Sequence, residues 1–239
     1  MQAIETVLFD FGGTLDSDGV PWKERFYALY RAEGLSLSAE AFAPTFYAAD
    51  DALVGALART TGLKETVDLL AANLEAELAR RDAGTGQEGD NVARGQRVAS
   101  RFLSQMSAAF ARNRPVLEAL GERYRLGVVS NFYGNLEAVC ESSGLGPFFG
   151  VMTDSQCVGA EKPEPAIFRA ALAALHAAPE TTVMVGDSLR RDYEGARRSG
   201  MGFIWIAPED VQAAEDGGAS DRYVLASVTE LPDLLDILT

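Results

Sequence analysis

Four short clusters hold the residues of this chain best suited to chemistry. The first, Asp10-Phe11-Gly12-Gly13-Thr14, directly follows the apolar run Val7-Leu8-Phe9. An aspartate at the carboxyl end of a strand stands where open α/β sheets place their reactive groups. Its carboxylate is ionised at neutral pH (the unperturbed value is about 4), so it acts as a nucleophile without a base to activate it. The others are Ser130-Asn131, Lys162-Pro163-Glu164-Pro165, and Gly186-Asp187-Ser188 followed by Asp192. Asp10, Asp187 and Asp192 repel one another if they converge, and a hard cation with oxygen ligands relieves that repulsion. A site with few protein ligands, completed by water and phosphate oxygens, favours Mg²⁺. Lys162 supplies a point charge for the nucleophile and a phosphate, and Ser130 supplies a hydroxyl donor. Backbone N–H groups of Phe11, Gly12 and Gly13 offer an anion cradle that the glycines leave open to close approach. Such a set suits phosphoryl transfer, which needs positioning and neutralisation of the equatorial oxygens.

Elements of a definite kind must bring these clusters together. Apolar, β-rich runs at Thr6–Phe11, Arg125–Ser130, Val151–Thr153, Thr182–Gly186 and Gly202–Ala207 predict parallel strands covered on both faces. Helices are predicted between the later strands, over Asn135–Ser143, Ala166–Leu175 and Leu189–Ser199. Gly144 and Gly200 suit helix ends, and the prolines at 163 and 165 suit a helix start. The alternation predicts βαβ units in an α/β fold. Between the first two strands the pattern is helical instead: Trp22, Phe26, Tyr30; Leu63, Val67, Leu70, Leu74, Leu78; Val98, Phe102, Met106, Phe110. A helical insertion over 17–112 is therefore expected at the catalytic end of a core made of 1–16 and 113–239. A lid in that place screens a site from water. Ala83–Val92 reads as a flexible loop.

With four clusters in this order at strand ends, the chain resembles the haloacid dehalogenase-like hydrolase superfamily over its whole core. The stretch Asp192-Tyr193-Glu194-Gly195-Ala196, closing on Gly200-Met201, shares the likeness. The resemblance implies a Rossmann-like, doubly wound parallel sheet with an all-helical cap. It implies that Asp10 attacks the phosphorus of a small phosphorylated metabolite to give an aspartyl-phosphate, which water then hydrolyses. Mg²⁺ would be held by Asp10, the main-chain carbonyl of Gly12, Asp187 and Asp192. Ser130, Asn131 and Lys162 would hold the phosphate, with Ser130 and Lys162 assisting the chemistry.

One position departs from the pattern. Family phosphatases usually carry a second aspartate two residues after the nucleophile, which protonates the leaving oxygen; here that residue is Gly12. Its metal role uses only main chain and survives. General acid–base help is worth about 10²–10⁴-fold, so alkyl phosphates are expected to be poor substrates unless Asp16, Asp18 or a cap residue supplies the proton. Cleavage of another bond remains open within the superfamily. The dehalogenase branch needs no Mg²⁺, and the acidic pair Asp187 and Asp192 argues against it. Phosphonate cleavage needs a cap lysine to form a Schiff base, and Lys23 and Lys64 are the available ones. A phosphate- or metabolite-binding protein without turnover is the third reading.

The net charge of −14 argues against nucleic acid or an anionic membrane as partner. No run is apolar enough to span a bilayer, and no signal-peptide pattern opens the chain, so a cytoplasmic protein is expected. Cys140 and Cys157 stand outside any CxxC spacing and read as reduced thiols. His176 is expected to close a helix. Lys23, Lys64, Arg190, Arg191, Arg197 and Arg198 are expected on solvated faces, and Trp22, Tyr27 and Tyr30 in the cap core.

Overall fold

The computed structural model describes residues 3–81, 88–214 and 223–238. Six strands, β1 (Thr6–Phe9), β2 (Arg125–Ser130), β3 (Val151–Asp154), β4 (Thr182–Gly186), β5 (Gly202–Ile206) and β6 (Tyr223–Leu225), form one parallel sheet in the order β3-β2-β1-β4-β5-β6. All five expected runs are strands. β1 stops at Phe9 rather than Phe11 because Asp10 turns the chain and caps it, accepting from the Phe11 N–H. β6 has three residues, too few to show a period.

Ten helices accompany the sheet among the described residues: α1 (Trp22–Ala32), α2 (Ala39–Asp51), α3 (Leu63–Arg80), α4 (Glu88–Gly121), α5 (Leu136–Ser142), α6 (Ser155–Val158), α7 (Pro165–Ala174), α8 (Glu194–Arg198), α9 (Glu209–Ala214) and α10 (Leu231–Leu238). The single helix expected over Leu189–Ser199 is instead a wide turn, Leu189–Tyr193, running into α8. Of the expected loop Ala83–Val92, residues 88–92 belong to α4, and 83–87 lie outside the described residues.

The helical periodicities of the insertion mark its core, with Phe26, Tyr30, Val67, Leu70, Leu74, Leu78, Val98, Phe102 and Met106 all fully buried. α4 carries the chain past position 113 without a break. It packs on α1 and α3 on one side and on β2 and α10 on the other, and Asn113 donates to the Leu15 carbonyl at 3.0 Å. Passage from insertion to core therefore lies inside a helix.

Side chains of β1 alternate between two cores. Leu8 joins Phe168, Met184 and Trp205 on one face of the sheet. Val7 and Phe9 face the other, where a single apolar cluster runs on into α1 and α4. Its bridge is aromatic: Phe11 meets Phe132 at 5.7 Å between ring centroids, Trp22 meets Phe102 at 5.3 Å, and Phe102 stacks on Phe26 at 4.3 Å. Pairs of this kind contribute about 0.5–1.5 kcal/mol beyond burial.

Candidate active site

The strand order reverses between β1 and β4, and in open α/β sheets the crevice at such a point receives the ligand. Phe9 is in register with Val185, and the Asp10 N–H donates to the Val185 carbonyl at 2.9 Å. Asp10 and Gly186-Asp187 thus leave the sheet side by side. Ser130 ends β2 on the other flank.

Three donors converge on one oxygen of Asp10. Its Oδ1 accepts from the Phe11 N–H at 2.7 Å and the Ser130 hydroxyl at 2.8 Å, and pairs with the Lys162 ammonium at 2.7 Å. Among the described residues Oδ2 has no hydrogen bond, so its lone pairs are available. Lys162 also donates to Asp192 Oδ1 at 2.7 Å. Burial works against its charge, but Asp10 and Asp192 outweigh that effect and hold the amine above its ordinary range.

Asn131, expected on the phosphate, lines the cavity and also braces Lys162. Its Oδ1 accepts from the Lys162 N–H at 2.7 Å and its Nδ2 donates to the Lys162 carbonyl at 3.2 Å. Both ends of the amide go to main chain, so Asn131 positions Lys162. The expected N–H cradle is also reduced. Phe11 N–H serves Asp10, and Gly13 N–H donates to Asp16 Oδ1 at 2.6 Å.

One oxygen from each of Asp10, Asp187 and Asp192 lies within 4.8 Å of the others. Asp187 Oδ1 is buried and lacks a hydrogen-bond partner. Burial, with Asp10 and Asp192 nearby, pushes the Asp187 carboxyl well above its usual range. An orphaned carboxylate oxygen beside two like charges is costly alone and fits a hard divalent cation. Asp10, Asp187 and the Gly12 carbonyl are suited to hold it. Asp192 is more heavily engaged, since its Oδ2 also accepts from the Ser188 N–H at 3.0 Å. Gly13 is required here: its φ is +92°, and a Cβ would fall 2.4 Å from Asp187 Oδ2.

A cavity of about 210 Å³ opens over Asp10. Lys162, Ser130 and Arg191 line its core side, and Trp22, Lys23, Tyr47 and Asp50 its cap side. A larger groove of about 610 Å³ between α3 and α4 holds no member of the four clusters.

The space beside Gly12 is tight. A Cβ there would come 3.1 Å from Trp22 Nε1. The Trp22 indole donates to Asp16 Oδ2 at 2.7 Å, and Arg25 pairs with the same oxygen at 2.7 Å. Asp16 is almost wholly buried in this knot and does not line the cavity, so it is not the replacement acid. Asp18 pairs with Arg112 at 2.8 Å, also away from the cavity.

Sequence reasoning missed Asp50, in the last turn of α2, which lines the cavity and accepts a hydrogen bond from the Tyr133 hydroxyl. An aspartate pair at a helix end carries no signal of this; the partner is far along the chain. Tyr133 is set by its loop: Asp154 Oδ2 accepts from the N–H groups of Gly134 and Leu136, and Phe132 exchanges two bonds with the Ser155 hydroxyl. Lys23 and Arg191, expected on solvated faces, line the cavity, with Lys23 paired to Glu24 at 3.2 Å. Lys64 pairs with Asp68 on the outside, and Arg197 and Arg198 pair with Glu194. His176 lies beyond the end of α7, where its carbonyl accepts from Arg125 at the start of β2, the sheet edge opposite Asp10. Cys140 and Cys157 are both unpaired.

The sequence model of haloacid dehalogenase-like hydrolases matches residues 4–200. The chain belongs to this family. Haloacid dehalogenase-like hydrolase domain-containing protein 3 of Bos taurus is 37% identical over 115 residues, 48% of this chain and 46% of that one. A glyceraldehyde 3-phosphate phosphatase of Pyrococcus furiosus is 38% identical over 94 residues, 39% of this chain and 38% of the relative. These alignments span about half or less of the relatives' length. Among solved structures, a HAD hydrolase of Bacillus subtilis bound to magnesium superposes with a TM-score of 0.59 at 22% identity, covering 98% of this chain and 100% of that one. The L-2-haloacid dehalogenase RSc1362 gives 0.61 at 20% identity, with 98% and 100% covered. Both likenesses establish the family fold and leave the bond that is cleaved to the site itself. No helix among the described residues is long and apolar enough to cross a membrane.

Proposed function

We propose that this HAD-like hydrolase is a Mg²⁺-dependent phosphatase of small phosphorylated metabolites, with Asp10 as nucleophile and residues 17–112 as its cap. The carrying observation is the state of two carboxylates. Asp10 has Oδ1 fixed by three donors and Oδ2 free, beside an Asp187 oxygen that is buried and unpartnered. The first is a held nucleophile, and the second calls for a cation. The phosphatase named among the relatives supports the same reading.

The protein's part in the reaction follows from these contacts. Ser130, Lys162 and the Phe11 N–H hold Asp10 so that Oδ2 attacks phosphorus and an aspartyl-phosphate forms. Lys162, kept charged by Asp10 and Asp192, offers its ammonium to the phosphoryl oxygens. A divalent ion bound by Asp10, Asp187 and the Gly12 carbonyl would add neutralising charge. The cavity of about 210 Å³ suits a metabolite of a few carbons. The unpaired cysteines agree with a reducing, cytoplasmic setting, and the charge of −14 with a small-molecule partner in place of nucleic acid.

The test is phosphate release across a panel of phosphorylated metabolites, with and without Mg²⁺. Turnover should require the metal and should fall by roughly 10⁴-fold or more in Asp10→Asn, as loss of a nucleophile does. Turnover that survives in Asp10→Asn would refute the assignment. Phosphonate cleavage is favoured by one observation, the presence of Lys23 on the cavity wall. Borohydride added with a carbonyl phosphonate should then trap an adduct on Lys23; an unmodified lysine removes that reading.

A further inference from the structure

We propose that Asp50 is the general acid and base of this site, acting from the cap in place of the side chain that position 12 lacks. The inference rests on the phosphatase reading above. Among the described residues three carboxyl groups line the cavity: Asp10, Glu24 and Asp50. Asp10 is the nucleophile, and Glu24 is half exposed and engaged with Lys23. Asp50 is half-buried and held in place by the Tyr133 hydroxyl. Gly12 lines the cavity without a side chain, so a proton donor has to come from another residue there. The cavity, of about 210 Å³ or about seven waters at ~30 Å³ each, is one space lined by both Asp10 and Asp50.

Charge supports the same assignment. Burial pushes the Asp50 carboxyl up, opposed by the Tyr133 hydrogen bond, while Asp51 adds to the rise and Arg191 counters it. Lys23 and Glu24 are the other charged groups on this side of the cavity. A carboxyl raised toward neutrality in a partly dry wall is suited to give and retake a proton.

The steps balance. Asp10 Oδ2 forms a bond to phosphorus as the bond from phosphorus to the leaving oxygen breaks. That oxygen keeps the electron pair and takes the proton of the Asp50 carboxyl, leaving as an alcohol. Asp50, now a carboxylate accepting from Tyr133, takes a proton from water as the water oxygen bonds to phosphorus. The bond between phosphorus and Asp10 Oδ2 breaks, inorganic phosphate departs, and both carboxyl groups return to their first state. Tyr133 is a positioning residue in this scheme.

The experiment compares wild type, Asp50→Asn and Tyr133→Phe by rapid quench with Mg²⁺. It uses an alkyl phosphate that the wild type hydrolyses, and acetyl phosphate, whose leaving acetate needs no proton. In Asp50→Asn the first turnover of the alkyl phosphate should slow by about 10²–10⁴-fold. The first turnover of acetyl phosphate should slow by less than about tenfold, and the aspartyl-phosphate should accumulate because water is no longer activated. Tyr133→Phe keeps the carboxyl and removes a bond that favours its ionised form. Its basic limb in the pH profile of kcat/KM should therefore move to higher pH, a displacement that mere loss of packing does not cause. Equal slowing of both substrates, or none on the alkyl phosphate, overturns the role of Asp50; if Asp50→Asn does not fold, an unmoved limb in Tyr133→Phe overturns it. Phosphate release that depends on Asp10 and ignores Asp50 leaves the phosphatase reading standing. A wild type that hydrolyses neither substrate overturns both.

Discussion

On the sheet side of the cavity the groups around the nucleophile are held by one another, Asp187 excepted: Asp10 by Ser130 and Lys162, Lys162 by Asp192 and Asn131, Asp192 by the Ser188 N–H. On the cap side the charged groups are half-buried or exposed, and Lys23 pairs with Glu24 and Asp50 with Tyr133. The first wall is built to present one fixed arrangement, which suits a reaction whose geometry does not change with substrate. The second retains freedom to fit different leaving groups. Where the two walls meet, Trp22, Asp16 and Arg25 form a buried knot. The cap thereby narrows the space that a longer residue 12 would need.

The contrast is most readily broken at that knot. Asp16→Ala leaves the Arg25 guanidinium buried without its partner and should cost roughly 3–5 kcal/mol, read by urea unfolding. Asp16→Asn keeps one acceptor oxygen of the two and should lose less; equal losses would show that the charge, which both variants remove, is the deciding factor. Next in size is Gly12→Asp. Restoring the usual acid should destabilise the chain by about 1–3 kcal/mol by overpacking against Trp22, and should not raise turnover of alkyl phosphates. Combining it with Trp22→Leu should recover part of that loss, and a double-mutant cycle without coupling would show that the two positions do not compete. The smallest effect belongs to the cavity mouth. Lys23→Met should raise KM severalfold at most with kcat kept, as a partly exposed charge is worth about 1 kcal/mol or less. A collapse of kcat there would move Lys23 from the mouth to the chemistry.

The sheet side was legible in the sequence where its groups follow apolar runs. Asp10, Ser130 and Asp187 end strands, and the strand pattern survives in a window of five residues. The cap helices were legible for the same reason, through their period. What the sequence hid is pairing across distance. Asp50 and Tyr133 are 83 residues apart, and no local pattern links them. Gly12 against Trp22, and Asp16 against Arg25, needed the path of the turn after β1. Asn131 showed its residue type and not its partner, and an amide serves main chain as readily as phosphate. β6 and the turn Leu189–Tyr193 were missed because one is too short for a period and the other breaks the regular helix.

α4 has a mechanical consequence. Its 34 residues make a beam about 50 Å long, shared by the insertion and the sheet. Pro115, six residues from its far end, removes one rung of the backbone ladder and is the natural pivot. A tilt of only about 5° there carries Glu88, about 40 Å away, through roughly 3.5 Å. Admitting a ligand past Lys23 and Tyr47 therefore asks for no unfolding, only leverage.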